Sequence, residues 1–412
     1  MTNEVLVIGG GPAGLTAAKA LVDRGANVVL VEGSESLGGM ARELTCKGLA
    51  ECRDCGACFA IDRAAEVLRE PSVEVLLLSE VTSVKGGAGS YEARIKVSPR
   101  YVTDDCIGCG RCVEACPAEG KAIFPPKGTG QPRLHWIDRQ RCLHFRKGGC
   151  EKCAEVCPTK AIDFDDRATN VTRKAGSVVY ATGMEPVDAC EVRRLGCGTL
   201  QDVVSSVDAE RMLNERGRLH RPSDGAAPKK VAVMQCVGSR SVKNGVDYCS
   251  KFCCKYATKI SQLIMDADPE VALDFYFMDL RTLYEPQDDF KRWAKDRKTV
   301  RLIRSMPAVV QPGKDGKLVV KAATETDTEV QENEYDMVLL SVGMRPKGAS
   351  DELAKALGIS TDERGFAEAG PGLAEKGVHV IGAVSAPMDI EEAAVRALAE
   401  ASRVRLTKEV AR

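Results

Sequence analysis

Residues 4–32 read EVLVIGGGPAGLTAAKALVDRGANVVLVE, and this stretch decides the fold. Its first five residues, Glu4 to Ile8, form an apolar run with the character of a buried parallel strand. Gly9, Gly11 and Gly14 follow, with Pro12 and Ala13 between them, and a helical stretch runs on to Asp23. Val28 to Val31 is a second strand, closed by Glu32. A strand, a glycine turn, a helix and a strand with a terminal acid make a dinucleotide-binding unit. In that setting Gly9 allows the tight turn, Gly11 lets backbone approach a pyrophosphate, and Gly14 lets helix pack on strand. The helix start offers N–H donors to phosphate. Glu32 is placed to accept hydrogen bonds from an adenosine ribose.

Outward from this unit, Leu37-Gly38-Gly39 fits the second glycine turn of FAD enzymes. The chain has 412 residues, 44% of them hydrophobic and 28% charged, which suits two or three globular domains. Its net charge of −1 gives no nucleic-acid footprint. No apolar run reaches about 18 residues, so no direct membrane insertion is expected. The opening MTNEVLVIGG reads as a strand without a basic leader, so a signal peptide is not expected either. The segment Arg216–Lys230, rich in charge, Pro, Gly and Ala, reads as a linker.

Cysteine placement adds the chemistry. Of 18 cysteines, 16 fall into four groups. Cys106, Cys109, Cys112 and Cys116-Pro117 form one run, and Cys142, Cys150, Cys153 and Cys157-Pro158 another. This is the two-cluster ferredoxin pattern, in which the fourth cysteine of each run ligates the other cluster. One [4Fe-4S] cluster is therefore expected on Cys106, Cys109, Cys112 and Cys157, and the second on Cys142, Cys150, Cys153 and Cys116. Two Cys-Pro endings and the crossed pattern argue against zinc. A third group is Cys236, Cys249, Cys253 and Cys254, and a fourth is Cys46, Cys52, Cys55 and Cys58. A further cluster is the favoured reading at the fourth group, with zinc or a partner-facing thiol set as the alternative. Cys190 and Cys197 read as small buried hydrophobes without a role. The four histidines have no metal-site spacing.

A second βαβ signal starts at Lys230, with strands at Val231–Met234 and Leu273–Phe277 around a helix near 253–266. The strand runs into Gln235-Cys236-Val237-Gly238-Ser239-Arg240, so cysteine stands where a nicotinamide nucleotide would need a glycine turn. No C-x-x-C lies outside the cluster-type groups, which disfavours a disulfide-reducing dithiol. Strand ends at Thr182-Gly183, Gly343 and Gly382 complete a flavoprotein pattern, with antiparallel strands expected at 71–98 and a closing helix at 389–408.

Together these motifs resemble the two-domain α/β fold of thioredoxin reductase, a Rossmann-type FAD domain plus a second Rossmann-like domain, with a ferredoxin-like domain inserted. The expected layout is 1–100 FAD domain, 101–165 insert, 166–229 FAD-domain return and linker, 230–350 second domain, and 351–412 the FAD domain's last part. The segment Tyr248–Lys259 and the turn Gly382–Ile390, which lacks the usual Gly-Asp, resemble the flavin-containing A subunit of heterodisulfide reductase. That resemblance implies a [4Fe-4S] cluster on Cys236, Cys249, Cys253 and Cys254. It also leaves Asp389, Ile390 or backbone N–H groups to contact the flavin. The trimmed layout is similar to the A subunit of the quinone-interacting membrane-bound oxidoreductase complex of sulfate reducers. This implies a cytoplasmic oxidoreductase subunit, peripheral on the membrane through partners: a quinone-reactive membrane subunit, together with a second flavoprotein similar to this chain. Electrons would pass between menaquinone and adenylylsulfate reductase, with confurcation or bifurcation at the flavin as one mode. The alternatives are a self-contained NAD(P)H- or ferredoxin-dependent flavin oxidoreductase, or a cofactor-bearing assembly scaffold.

Overall fold

Glu4–Ile8 is the central strand of a five-stranded parallel sheet, in the order Val378–Val380, Ser177–Tyr180, Glu4–Ile8, Asn27–Val31, Val73–Leu76. The computed structural model describes residues 3–44, 56, 58–125, 134–244, 246–281, 286–324, 327–348 and 351–406. The central strand is apolar throughout because both its faces are covered. Val5 and Val7 meet the helices Pro12–Val22, Phe59–Leu68 and Ile390–Arg403. Leu6 and Ile8 meet an antiparallel sheet of Ser79–Gly87, Ser90–Val97 and Thr169–Ala175. Leu15 and Leu21 on the first helix are fully buried, each such burial stabilising by about 1.5–3 kcal/mol.

A second five-stranded parallel sheet has the order Val203–Ser205, Met337–Val342, Lys230–Val237, Ala272–Phe277, Val300–Arg304. Val231 and Val233 face the helix Cys253–Ala267, while Ala232 and Met234 face a three-stranded antiparallel sheet spanning Val309–Tyr335. The two halves are joined by two short antiparallel strands, Met184–Pro186 and Met344–Pro346.

Three expectations change. The strand Val73–Leu76 belongs to the parallel sheet, not to an antiparallel set. The stretch 166–229 is more than a return and linker. Its strand Val203–Ser205 pairs with Val338–Leu340, and the helix Ser206–Arg216 packs beside it, so both serve the second sheet. The closing helix ends at Arg403, where Val404 turns to an extended conformation.

The ferredoxin-like segment leaves from the end of one antiparallel strand and returns at the start of its neighbour, with Val97 opposite Thr169. At this neck the Asp166 carboxylate accepts hydrogen bonds from the backbone N–H groups of Arg100 (2.9 Å) and Tyr101 (3.1 Å). The insert has its own small core, in which Tyr101, Ile123, Ile137 and Ala161 surround the cysteines. Among the described residues no helix is long and apolar enough to cross a membrane.

Candidate functional site

The carboxyl ends of the two sheets face a common cavity of about 280 Å³. Open parallel sheets bind ligands at this end. Of the residues expected to hold FAD, Gly9, Gly11, Pro12, Ala13, Glu32, Gly39, Thr182, Gly183, Gly343, Gly382, Asp389 and Ile390 line it. Gly14 and Gly38 stand behind the wall. Gly38 N–H donates to the Gly10 carbonyl at 2.7 Å, which ties the second glycine turn to the first.

The glycine loop divides its labour. Gly9 has φ +109°, and a Cβ there would lie 2.2 Å from the Ala181 carbonyl oxygen. A Cβ on Gly14 would lie 1.9 Å from the Gly9 oxygen. At Gly11 an added Cβ would meet nothing nearer than the Gly39 Cα at 4.0 Å, so space is left on the cavity side. The helix opening at Pro12 has no side-chain cap, which leaves its first N–H groups for a phosphate. Glu32 accepts from Gly10 N–H (2.7 Å) through Oε2 and from Ser34 N–H (2.8 Å) through Oε1, so it braces the loop as well as facing the cavity. Asp389 caps the helix Ile390–Arg403 by accepting from Glu392 N–H at 2.9 Å. An uncapped helix start beside an open glycine turn fits a dinucleotide such as FAD.

The second domain supplies the opposite wall. Phe252 at the N-cap of the helix Cys253–Ala267 and Lys255, Tyr256 and Lys259 on it line the cavity, and Val342 to Met344 line it from the strand end. Tyr256 donates to the Ser206 carbonyl at 2.8 Å, and burial, then the Glu210 carboxylate, pushes its hydroxyl well above the usual range. These wall residues went unassigned in the sequence, although 252, 255, 256 and 259 share one helical face.

Cys253 and Cys254 open that same helix and are buried. They gather with Cys236 and Cys249 close enough for their charges to couple. Burial, then Cys254, pushes the Cys236 thiol up to about 11, and burial drives Cys253 well above its ordinary value. Backbone N–H groups donate to two of these sulfurs, Lys251 to Cys249 and Arg281 to Cys254, both at 3.4 Å. The chain is contorted here, with positive φ at Cys236, Arg240 and Lys251.

In the insert, one small cavity is lined by Cys106, Cys109, Cys112 and Cys157, and another by Cys116, Cys142, Cys150 and Cys153. These are the two crossed sets read from the spacing. Burial pushes the Cys112 thiol up to about 11, with Cys106 next, and Cys153 up to about 12, with Cys142 next. Cys157 goes the other way: burial raises it, but hydrogen bonds led by Ala161 N–H at 3.3 Å outweigh burial. Among the described residues, no three sulfurs of these sets lie within 4.8 Å of one another. Four thiols around each cavity are the donor set that a thiolate-bound cluster takes. His135, which spacing alone passed over, lies with Nδ1 3.7 Å from the Cys106 sulfur.

Two readings are left open or corrected. Of the fourth group, Cys46, Cys52 and Cys55 lie outside the described residues; Cys58 is exposed at the start of the helix Phe59–Leu68, and nearby Gly56 lines the flavin cavity against Ile390. Cys190 and Cys197 are not isolated hydrophobes but a disulfide, because two short 3-10 turns bring their Cα atoms to 4.7 Å.

Comparison with known proteins agrees with this architecture. Residues 4–51 match the FAD dependent oxidoreductase family, and residues 105–161 match the 4Fe-4S dicluster domain family. The fold is that of thioredoxin reductase: the enzyme from T. acidophilum superposes with a TM-score of 0.52 at 15% identity, covering 98% of both chains. Bacillithiol disulfide reductase from Bacillus cereus gives 0.52 at 13% identity, covering 98% of this chain and 99% of that one.

The particular likeness is to the A subunits of heterodisulfide reductases. The chain is 35% identical to the second iron-sulfur A subunit of the CoB–CoM heterodisulfide reductase of Methanopyrus kandleri, over 98% of this chain and 64% of that protein. It is 33% identical to the A subunit of the H2:CoB-CoM heterodisulfide,ferredoxin reductase of Methanothermobacter marburgensis, over 97% of this chain and 63% of that protein. The chain thus spans under two thirds of the length of these relatives.

Proposed function

We propose that this chain is the FAD and iron–sulfur electron-transfer subunit of a heterodisulfide-reductase-like complex, an oxidoreductase that acts with partner subunits. One observation carries the reading: a single helix, Cys253–Ala267, opens with two of the four gathered cysteines and forms a wall of the flavin cavity with its next turns. Flavin and clusters, when bound, exchange electrons in pairs and singly. The chain's own residues do the rest. The glycine loop and uncapped helix start seat the pyrophosphate; Phe252 and Tyr256 narrow the cavity and exclude water; the helix Ile390–Arg403 closes it.

On this reading Cys236, Cys249, Cys253 and Cys254 hold one [4Fe-4S] cluster, the crossed insert sets hold two, and Cys46, Cys52, Cys55 and Cys58 hold a fourth. Exposed Cys109 and Ile107 make the Cys106 set the face of the insert that meets a partner. The finer reading joins the chain, on the cytoplasmic side, to a quinone-reactive membrane subunit with a second, similar flavoprotein beside it, and makes adenylylsulfate reductase the other terminus. It rests on resemblance alone, and co-purification of the native complex tests it.

The central reading is tested by counting iron and FAD in the wild-type chain and in Cys253→Ser. The expected result is a loss of about four irons with FAD retained; unchanged iron would overturn it. Adding NADH to the chain separates it from a self-contained reductase: the flavin absorbance should persist, and rapid bleaching would defeat the proposal.

A further inference from the structure

The strand Lys230–Val237 carries an irregularity beside its neighbour Met337–Val342. Met234 pairs with Leu340 and Val237 with Val342, so Gln235 and Cys236 together oppose the single residue Ser341. Such a bulge re-aims side chains and recurs next to functional sites. Here Cys236 takes up the distortion, with φ +58°.

Three polar side chains at this bulge are buried without a partner. Both amide atoms of Gln235 and the hydroxyls of Ser239 and Ser341 make no hydrogen bond, and the three residues are 0%, 2% and 1% exposed. Gln235 follows Val231 and Val233 on the sheet face under the helix Cys253–Ala267, and Ser341 follows Met337 and Leu339 on that face. The same packed layer contains Cys254. Ser239 N–H donates to the Cys236 carbonyl at 3.2 Å, and its Cβ lies beside Gly343. None of the three lines the flavin cavity, although Val342 and Gly343 do.

A buried polar group left unpaired costs about 1–3 kcal/mol, so three unpaired donors at one bulge, the Gln235 Nε2 and the two hydroxyls, call for an acceptor that the side chains themselves do not provide. The amide and the two hydroxyls can all donate. The neighbouring sulfur ligands point to an anionic, sulfur-rich acceptor. We propose that Gln235, Ser239 and Ser341 donate hydrogen bonds to the cluster held by Cys236, Cys249, Cys253 and Cys254 and thereby set its reduction potential. This deepens the cluster assignment made above and rests on it. Donors to a cluster's sulfurs stabilise the more negative, reduced form, so their loss lowers the potential. They act on the cluster itself and do not line the flavin cavity.

The test is an EPR-monitored redox titration of the full chain in its native complex. Cys253→Ser first identifies the signal of this cluster by its disappearance, with an iron count beside it. If Cys253→Ser keeps all its iron, the cluster assignment itself fails, whatever the donors do. With that signal assigned, Gln235→Met and Ser341→Ala should each shift it to lower potential while the other clusters and the iron count hold. Ser341→Thr, which keeps the hydroxyl, should restore the wild-type value. Ser341→Ala removes a single oxygen and decides the matter if Gln235→Met loads less iron. An unshifted potential in iron-replete Ser341→Ala and Gln235→Met would overturn the proposal, and would assign the orphaned groups to buried water instead.

Discussion

Gly11 and Gly14 are three residues apart, yet the structure sets them opposite fates. Gly11 sits in an extended conformation that any residue adopts, with open space beyond it. Gly11→Ala should therefore leave the melting temperature of the FAD-free chain unchanged while lowering the FAD bound per chain. Gly14→Ala would press a methyl group onto the Gly9 oxygen, and overpacking of this kind costs about 1–3 kcal/mol. It should lower the melting temperature with or without flavin. Calorimetry beside a flavin count separates the two, and equal destabilisation would refute the division of labour. Both roles were legible in the sequence because the glycine turn lies between two strands whose apolar runs are unbroken. Cys190 and Cys197 were not legible as a pair. Their proximity comes from two short turns whose geometry no periodicity announces.

At the scale of elements, the neck of the insert depends on one carboxylate. Asp166→Ala would leave the N–H groups of Arg100 and Tyr101 without their acceptor, at a cost of about 1–3 kcal/mol where they are shielded from water. The neck should open to protease before the rest of the chain does. Limited proteolysis with mass mapping would detect early cleavage around residues 98–104 or 163–169, and a wild-type cleavage pattern would count against the clasp. The helix Cys253–Ala267 was visible in outline from its sequence. Its cavity-facing side is not legible there, because the repeat that joins Phe252, Lys255, Tyr256 and Lys259 mixes aromatic with charged residues and gives no apolar stripe. The strand Val203–Ser205 was missed for another reason. Three residues carry no usable alternation, and its place is set by its partner Val338–Leu340.

At the scale of the molecule, the chain is a flavoprotein frame interrupted once, between two strands already paired to each other. Because Val97 faces Thr169 across a ladder, a two-residue Asn-Gly turn can replace the whole intervening stretch. The shortened chain should fold, keep its FAD and lose about eight irons, those of the two insert clusters. Absorbance and iron analysis of the purified variant check this. Loss of flavin along with the iron would show that the frame leans on the insert.

The helix Cys253–Ala267 carries a consequence for how such folds change their cargo. Its start lies at the carboxyl end of a parallel strand, where aligned peptide dipoles place roughly half a positive charge. That field discriminates by sign and not by shape. A nucleotide phosphate and a thiolate-bound inorganic core are both anions, so the same helix start suits either one. Cys236 at the end of the strand, and Arg240 and Lys251 in the loop beyond it, take left-handed conformations, so the path from strand to helix is not that of a glycine turn.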